Sequence, residues 1–467
     1  MKPEQSPLSL LRNVKIALFH LGSGIADVLT TGVWNRIMIS DFGFSATPVA
    51  LLLSLRYFLT PIGIWSGEMS DRHRLLGTRR LAWIWMGRLL MTIGILWTGW
   101  QTAEISRKFS QLGSTAITRS DWIVFAVALL LFSFGNALSG STFLAFLYDR
   151  APQSQRGQVV GIVWTFLLLG FMLAGILFGV LIPEDSGELL QLTPSTIRSL
   201  FFITGGIVTV LWLISLAGEE RLGRRDRASA NTALRQGHYR TELKLIWQRI
   251  DLRYFMLFLV FSFVFVFFQD IVLEPFAGDV FDSSNEETAR FAAYWGGMSI
   301  LSSLIALYAL RKWERVRHII LASWGTILLT LAIALFAFAA LWDAAIFLMP
   351  GLILLGVGLG VWNVGTLGLM MDFSPADRAG TFMGIWTVVI TLSRGVGVFA
   401  GGVVRDLLHT LGLSLANSYG TLFLLEALGI TISWFLLMQV KEQLRDAPIG
   451  SRTAEVGISD LAESLES

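Results

Sequence analysis

Twelve long apolar runs alternate with short polar stretches along the chain. Each run is close to the length of about 20 residues that a helix needs to cross the hydrocarbon core of a bilayer. The pattern therefore predicts an all-α membrane protein with twelve transmembrane helices. The predicted spans are residues 14–39, 46–67, 80–100, 122–148, 158–182, 199–217, 254–273, 289–309, 318–341, 344–371, 381–404 and 417–440.

Basic residues are unevenly distributed between the two sides of these spans. Most of the 36 Lys and Arg residues lie at the N-terminus, in the loops that follow even-numbered spans, and in the C-terminal tail. Because loops rich in Lys and Arg face the cytoplasm, both termini are predicted to be cytoplasmic. The first span follows a short polar lead without a small-residue cleavage site, so we expect no cleaved signal peptide.

An internal repeat divides the chain into two halves. Asp149 and Arg156 lie between spans 4 and 5 in the stretch YDRAPQSQRG, and Asp372 and Arg378 lie between spans 10 and 11 in MDFSPADRAG. Two parallel six-helix repeats are the major facilitator architecture, so the repeat predicts that fold. The predicted domains are the N-terminal half 1–217, a basic cytoplasmic linker 218–253, the C-terminal half 254–440 and a polar cytoplasmic tail 441–467.

The loop between spans 2 and 3 carries a second signal of the same fold. Gly67, Asp71 and Arg72 stand in the stretch GEMSDRHRLLGTRRL, which resembles the loop signature of the major facilitator superfamily. The resemblance implies that Asp71 pairs with the second half and biases which side of the protein is open. The equivalent loop of the second half, RKWERVR, keeps the basic residues but lacks the Gly and the Asp.

Three stretches point to a particular family within this superfamily. They are WNRIMISDFG at 34–43, QDIVLEPFAGDVF at 269–281 and the segment 370–408, which begins MMDFSPADRAGTFMGIW. Together they resemble the bacteriochlorophyll delivery family, also called the PucC/LhaA family, over most of the chain. The usual family pattern has Tyr-Gly after Leu-Glu-Pro, whereas this chain has Phe276 and Ala277. That departure leaves the pigment type and the protein partner open.

The resemblance implies a function as well as a fold. It implies a multi-pass protein in the thylakoid or plasma membrane of a photosynthetic bacterium, which assists assembly of light-harvesting or photosystem complexes. The implied cargo is chlorophyll or bacteriochlorophyll, with no covalently bound cofactor. The implied partners are the lipid bilayer, the pigment, antenna or photosystem apoproteins and pigment-synthesis enzymes.

Polar residues inside the predicted spans are the candidate ligand-binding residues, because a charge at mid-membrane costs roughly 2.5–3.5 kcal/mol on insertion scales. One interpretation is a central cavity that recognises a polar or anionic group, or a magnesium porphyrin through His20 or a backbone oxygen. The other is structural pairing between helices, such as Asp27 or Glu426 with an arginine. For single residues we favour pairing, and for the set we favour a lined interior. The candidates are His20, Asp27, Arg56, Arg88, Asn136, Gln269, Glu274, Asn363 and Arg394.

Composition and motifs narrow the function classes further. Only 15% of the residues are charged, against about 25% in ordinary soluble domains. The chain has no Cys, which excludes disulfides, thiolate metal sites and Cys nucleophiles. The net charge of +2 gives no indication of nucleic-acid binding. Because the phosphate-binding, hydrolase and metalloprotease motifs are missing from the sequence, we expect neither an enzyme nor a metal site.

Three functions agree with these observations. The first is a pigment-handling assembly factor, which the family resemblance favours. The second is a proton-coupled secondary transporter of a small solute. The third is a scaffold for pigment-synthesis enzymes that transports nothing. Composition and spacing alone agree with all three.

Overall fold

The computed structural model describes residues 9–113, 117–151, 156–182, 192–219, 244, 246–313, 316–374 and 379–446. Within these ranges, twelve helices are long and apolar enough to cross a membrane, which confirms the predicted number. They are α1 Leu10–Asp41, α2 Ala46–Ser70, α3 Leu81–Leu112, α4 Arg119–Arg150, α5 Val159–Leu181, α6 Pro194–Leu216, α7 Ile250–Ile271, α8 Asn285–Lys312, α9 His318–Trp342, α10 Ala345–Asp372, α11 Phe382–Thr410 and α12 Leu415–Val440.

The helices extend past several predicted ends. Helix α3 continues to Leu112, beyond the predicted end at residue 100, and α7 begins at Ile250, within the last residues of the predicted linker. Polar residues such as Gln101 and Lys108 hydrogen-bond Asp121 at the start of α4. These contacts allow α3 to continue as helix beyond its apolar run.

Each half packs mainly within itself. In the N-terminal half, α1 packs on α5 and α6, and α3 packs on α4 and α6. In the C-terminal half, α7 packs on α11 and α12, and α10 packs on α8 and α9. The halves meet where α2 contacts α11 and where α5 contacts α8, and we call this junction the seam.

Small residues allow the helix backbones to approach closely. A Cβ on Gly24 of α1 would lie 2.5 Å from the carbonyl oxygen of Leu167, and one on Gly170 of α5 would lie 2.5 Å from that of Leu21. At the seam, a Cβ on Gly395 of α11 would lie 2.8 Å from the Cβ of Tyr57 on α2. Glycine at such positions gives tight packing between membrane helices.

Two interruptions in the regular helices position polar groups. Helix α1 passes through π-helical turns at Leu29–Trp34 and Ile37–Asp41, a feature often found at functional sites. Helix α7 leaves α-helical geometry after Val266, continues as the 3-10 turn Gln269–Ile271, and is followed by the short helix Leu273–Phe281. We call Leu273–Phe281 the connecting helix.

Because the number of spans is even, α1 begins and α12 ends at the same face of the molecule. We call this the terminal face, and the other the opposite face. The loop between α2 and α3, and the ends of α4 and α10, lie at the terminal face. The connecting helix and the α1–α2 loop lie at the opposite face.

Candidate functional site

Four charged side chains meet at the seam, three of them in the middle of membrane spans and one, Asp270, at the end of α7. Asp27 of α1 forms an ion pair with Arg56 of α2. Arg394 of α11 places its Nη2 3.0 Å from Oδ2 of Asp270 on α7 and 3.9 Å from Oδ2 of Asp27. Gln269 donates from its amide to Asp270 Oδ1 at 2.9 Å. We call Asp27, Arg56, Asp270 and Arg394 the seam network.

The seam network explains how charged side chains are tolerated within the membrane-spanning helices. It contains two carboxylates and two guanidinium groups, so the charges balance, and paired charges cost far less than isolated ones in a bilayer. Arg56 is almost fully buried, with 5% of its side-chain surface exposed. The structure thus has the predicted pairing of Asp27 with arginine, and it supplies two arginine partners, Arg56 and Arg394.

Asp270 belongs to the seam network but not to the candidates that the sequence indicates, although it stands between two of them, Gln269 and Glu274. A useful signal was its place at the end of an apolar span, because a carboxylate there needs a cation.

The predicted pairing of Glu426 with an arginine is wrong within the described part of the chain. Glu426 on α12 is fully buried, and neither of its carboxyl oxygens accepts a hydrogen bond from an arginine of the described residues. The arginines of α2 and α11 are occupied by Asp27 and Asp270 instead. Those carboxylates sit on helices that face the seam, which explains why they take the cations.

A second cluster surrounds His20 in the N-terminal half. The His20 ring stacks on Phe143 of α4, with centroids 5.1 Å apart, and meets Trp164 of α5 edge-on at 5.9 Å. Its Nδ1 is buried without a hydrogen-bond partner among the described residues. Trp164 is 43% exposed.

Open space adjoins this cluster. Gly140 lies one turn from Phe143 on α4, and Gly161 lies one turn from Trp164 on α5. A Cβ built on either glycine would meet no atom within 4 Å. Trp164 is the exposed member of this cluster and Phe143 is fully buried; we call His20, Phe143 and Trp164 the aromatic wall.

Arg88 lies beside the same cluster, held by aromatic rings. Its guanidinium carbon is 3.9 Å from the centroid of Phe19 and 4.7 Å from that of Trp212. Its Nη1 lies 3.0 Å from the sulfur of Met91. Cation–π contacts of this kind contribute about 2 kcal/mol or more when desolvated, so the two rings offset part of the cost of burying the Arg88 guanidinium between α1, α3 and α6.

At the opposite face, two of the family stretches contact each other across the seam. Asn35 of α1 donates to the Ile271 carbonyl at 3.1 Å and to Oε2 of Glu274 at 3.4 Å. Arg36 donates to the Ser283 carbonyl at 3.0 Å and forms an ion pair with Asp41. We call these contacts, together with those described next, the opposite-face latch.

Two further contacts complete the latch. Asn285 of α8 donates to Oδ2 of Asp41 at 3.0 Å. Asp406 of α11 accepts hydrogen bonds from the backbone amides of Ala46 and Thr47 at 3.0 and 2.7 Å, which caps the start of α2. Both of these contacts join one half to the other, so the opposite face is closed by polar contacts across the seam.

Glu274 lies at the centre of the latch, on the connecting helix between α7 and α8. Burial raises the pKa of its carboxyl from 4.5 to about 8, and the nearby Asp270 charge acts in the same direction. The hydrogen bond from Asn35 and the charge of Arg36 oppose that shift. The latch therefore holds a carboxyl that takes up a proton near neutral pH.

At the terminal face, two groups of charged contacts lie within the N-terminal half or join it to the first residues of the linker. Arg12 and Lys15 contact Glu219 at 2.7 and 3.2 Å. Arg80 donates to Oδ2 of Asp149 at 3.0 Å and to the hydroxyl of Ser70 at 2.6 Å.

The loop-signature residues are placed only in part. Arg80 also contacts the Gly67 carbonyl at 3.4 Å, so the loop signature meets the repeated turn at Asp149. Arg72 pairs with Glu68. Arg378 and the side chains of Asp71 and Arg156 lie outside the described residues, so the predicted pairing of Asp71 with the second half stays a prediction.

The remaining candidates are less closely connected. Asp372, at the second copy of the repeated turn, has its Oδ2 2.8 Å from Nδ1 of His318 and accepts a hydrogen bond from that ring. Asn136 and Asn363 are half-buried on α4 and α10. In the part of the chain that the structure describes, no metal-binding group of three or more His, Cys, Asp or Glu residues is found.

Comparison with known proteins identifies related sequences. Residues 33–444 match the family model described as "PUCC protein". "Protein PucC" of Rhodovulum sulfidophilum is 27% identical over 410 residues, which cover 86% of each chain. "Bacteriochlorophyll synthase 44.5 kDa chain" of Rhodobacter capsulatus is 27% identical over 428 residues, covering 90% of this chain and 93% of that one.

Comparison with solved structures shows the fold. A bacterial homologue of the human lysosomal transporter Spinster, in an inward-facing and unoccupied conformation, superposes with a TM-score of 0.69 at 14% identity. The match covers 95% of this chain and 98% of the other. Together with the twelve spans, it confirms the predicted major facilitator fold.

Proposed function

Because this chain belongs to the PUCC protein family, we propose that it is a membrane assembly factor that binds chlorophyll or bacteriochlorophyll and delivers it to light-harvesting or photosystem proteins. The family match over residues 33–444 is the observation that carries the proposal. A relative named as a bacteriochlorophyll synthase chain, similar along nine-tenths of this chain, supports a connection with that pigment.

The aromatic wall is the part of the structure best suited to a pigment. A tetrapyrrole is a large flat ring, and binding sites for such ligands are mostly apolar and aromatic with few polar groups. His20 supplies an imidazole between Phe143 and Trp164, and a neutral imidazole nitrogen is a common metal ligand. If the pigment binds at the aromatic wall, His20 would hold its magnesium through an imidazole nitrogen.

The proposed partners and location follow from the same assignment. The protein is an integral multi-pass membrane protein, and its membrane is the photosynthetic membrane in which antenna complexes form. The proposed partners are antenna or photosystem apoproteins, which receive the pigment, and pigment-synthesis enzymes, which supply it. Both termini face the cytoplasm in this arrangement, as the distribution of Lys and Arg predicts.

The test is deletion of the gene in its host, with the absorption of isolated membranes as the readout. We expect the antenna bands to fall several-fold while free pigment persists, and the intact gene to restore them. A gene carrying His409→Ala should restore the bands as well as the intact gene does, because His409 lies at the exposed end of α11, away from the aromatic wall.

A second measurement separates the competing classes of function. Unchanged antenna bands in the deletion strain would contradict the proposal. Proton-dependent uptake of a small solute by proteoliposomes, with no pigment bound, would instead support a transporter. Capture of pigment-synthesis enzymes by pigment-free protein would support a scaffold.

A further inference from the structure

Helices α5 and α8, one from each half, pack tightly at their ends nearest the opposite face. A Cβ on Gly175 of α5 would lie 2.3 Å from the backbone nitrogen of Ala293 on α8. Closer to the middle of the two spans, a Cβ on Gly297 of α8 would lie 3.5 Å from the sulfur of Met172 on α5. These glycines bring the two halves together in this part of the seam.

The same faces of the two helices are exposed nearer the terminal face. An α-helix has about 3.6 residues per turn, so Thr165 lies on the same face of α5 as Met172, about two turns away. In the same way, Leu304 lies on the face of α8 that carries Gly297, about two turns further on. Thr165 is exposed, and Leu304 keeps 55% of its surface exposed. Continued contact between the helices would cover both side chains, so α5 and α8 diverge toward the terminal face.

The polar contacts at the two faces agree with this divergence. The opposite-face latch joins one half to the other. At the terminal face, Arg80 and Asp149 are both residues of the N-terminal half, and His318 and Asp372 are both residues of the C-terminal half. These contacts therefore hold the halves together at the opposite face, while each of the two terminal-face pairs stays within its own half.

The gap between the diverging helices has uncharged walls. The sequence has no Asp, Glu, Lys or Arg at 159–181 in α5 or at 291–310 in α8. At a rise of about 1.5 Å per residue, Thr165 and Leu304 lie about 10 Å inside the terminal-face ends of their spans, at the depth of the hydrocarbon core. The exposed side chains on its two sides are Trp164, Thr165, Leu301, Leu304 and Tyr308, and we call this gap the lateral opening.

Trp164 connects the lateral opening with the aromatic wall. Its ring meets the ring of His20 edge-on at 5.9 Å, and 43% of its surface is exposed. It also precedes Thr165 directly in α5. A ligand that contacts the exposed part of Trp164 from the lateral opening therefore borders the aromatic wall as well.

We propose that the cargo enters sideways from the bilayer, between α5 and α8, and keeps its hydrocarbon tail in the lateral opening while its ring contacts the aromatic wall. The inference rests on the proposed function, and it specifies the substrate class as a tetrapyrrole that carries a long hydrocarbon ester and is dissolved in the membrane. Every CH₂ group that moves from hydrocarbon into water costs free energy. A route through the lateral opening avoids that cost, whereas a route through the water at the terminal face does not.

The experiment closes the lateral opening with a reversible link. The chain has no cysteine of its own, so Thr165→Cys and Leu304→Cys together give one pair of thiols across the gap. The full-length protein is made in a host without chlorophyll and joined by a bismaleimide whose spacer contains a disulfide. It is then placed in phosphatidylcholine vesicles that contain chlorophyll a, extracted again in mild detergent and purified. Absorption measures the bound chlorophyll per protein.

We expect the linked protein to bind several-fold less chlorophyll than the same protein without the link. Dithiothreitol cleaves the spacer, and cleavage before contact with the vesicles should restore binding. Mass spectrometry establishes that the link has formed. Thermal unfolding shows that the linked protein is folded, so a loss of binding is not a loss of structure.

The matched control places the same link across the other contact between the halves. A Cβ on Gly395 of α11 would lie 2.8 Å from the Cβ of Tyr57 on α2. Ile64 and Val388 lie about two turns from these residues toward the terminal face, as Thr165 and Leu304 do in the other pair of helices. A link between Ile64→Cys and Val388→Cys should leave chlorophyll binding unchanged.

The outcomes separate this inference from the proposed function. Full binding by the protein linked between α5 and α8 would overturn the inference and leave pigment binding intact. Equal loss in both linked proteins would show that entry needs the whole terminal face to open, which also overturns a route between α5 and α8. Absence of bound chlorophyll in every protein, linked or not, would overturn the inference and the proposed function together.

Discussion

Asp27 of α1 and Arg394 of α11 face each other across the seam, with Oδ2 and Nη2 3.9 Å apart. The two residues belong to different halves, and each is anchored by a partner in its own half, Asp27 by Arg56 and Arg394 by Asp270. The halves can therefore separate at this point without leaving either charge unpaired. The seam network is suited to a junction that opens and closes.

Removal of the Asp27 carboxylate should lower the amount of protein in the membrane. In Asp27→Asn, Arg56 becomes an unpaired buried cation, and breaking a buried ion pair typically costs 3–5 kcal/mol. We expect a several-fold lower level of membrane-inserted protein and a lower Tm. Immunoblotting of membranes and thermal unfolding measure both.

The matched control is Glu104→Gln, which removes the carboxylate of the more exposed pair between Glu104 and Arg107. Exposed pairs contribute about 0–1 kcal/mol, so its level should stay near that of the wild-type protein. A wild-type level and Tm for Asp27→Asn would contradict a structural role for this carboxylate.

A methyl group at Gly278 should disrupt the opposite-face latch. A Cβ at this position would collide with the guanidinium group of Arg36, which contacts Ser283 and Asp41. We expect Gly278→Ala to lower the Tm by several degrees. Gly206→Ala, on α6, is the control because a Cβ there meets nothing within 4 Å. Similar effects of the two substitutions would argue against the latch.

The Glu274 carboxyl should make stability depend on pH. Its pKa is about 8 in the folded protein, against an ordinary value of 4.5. Between these values the folded state binds more protons than the unfolded state, so stability falls as pH rises from about 4.5 to 8. Below that window the carboxyl is neutral in both states.

The pH dependence of the wild-type protein is compared with that of Glu274→Gln, whose side chain has nearly the same shape as glutamate but cannot ionise. We expect the Tm of the wild-type protein to fall relative to that of the variant as the pH is raised from 5 to 8.5. Parallel pH profiles of the two proteins would show that Glu274 does not contribute.

Single cysteines can establish the orientation, since the chain has none of its own. Leu76, in the terminal-face loop after α2, and Leu411, at the opposite face after α11, are 82% and 69% exposed. We expect Leu76→Cys to react only with reagents that reach the cytoplasmic side, and Leu411→Cys only from the other side. The reverse result would invert the orientation that the basic loops predict.

The sequence predicts the helices well because span length and apolar character are local properties. It also predicts that Asp27 needs an arginine, because an unpaired carboxylate in lipid is costly. It does not predict which arginine, since Arg56, Arg88 and Arg394 are equivalent by composition. Only the fold shows that Arg88 lies between Phe19 and Trp212.

The contacts of the opposite-face latch could not be predicted from the sequence for a related reason. Asn35 and Glu274 stand more than two hundred residues apart, in two stretches that carry the family resemblance, and nothing local indicates that the stretches touch. The contact depends on the packing of α1 against the end of α7, which includes the π-helical turns of α1. The available signal was that Asn35 and Glu274 each need a hydrogen-bond partner if they are buried.

Loss of the His20 imidazole should lower pigment binding and leave the protein level unchanged. In His20→Ala, the rings of Phe143 and Trp164 remain, but the proposed metal ligand is gone. We expect the ratio of bound chlorophyll to protein to fall several-fold in samples matched for amount. His409→Ala should keep the wild-type ratio. An unchanged ratio in His20→Ala would contradict a role of His20 in pigment binding.

The absorption spectrum of the gently purified wild-type protein tests the central claim most directly. The protein is extracted in mild detergent from the membranes of its own host and separated from antenna complexes by size. The account predicts chlorophyll or bacteriochlorophyll bands that elute with the protein in a fixed ratio. A protein that is folded, present at normal levels and free of pigment in every preparation would contradict the claim that it handles pigment.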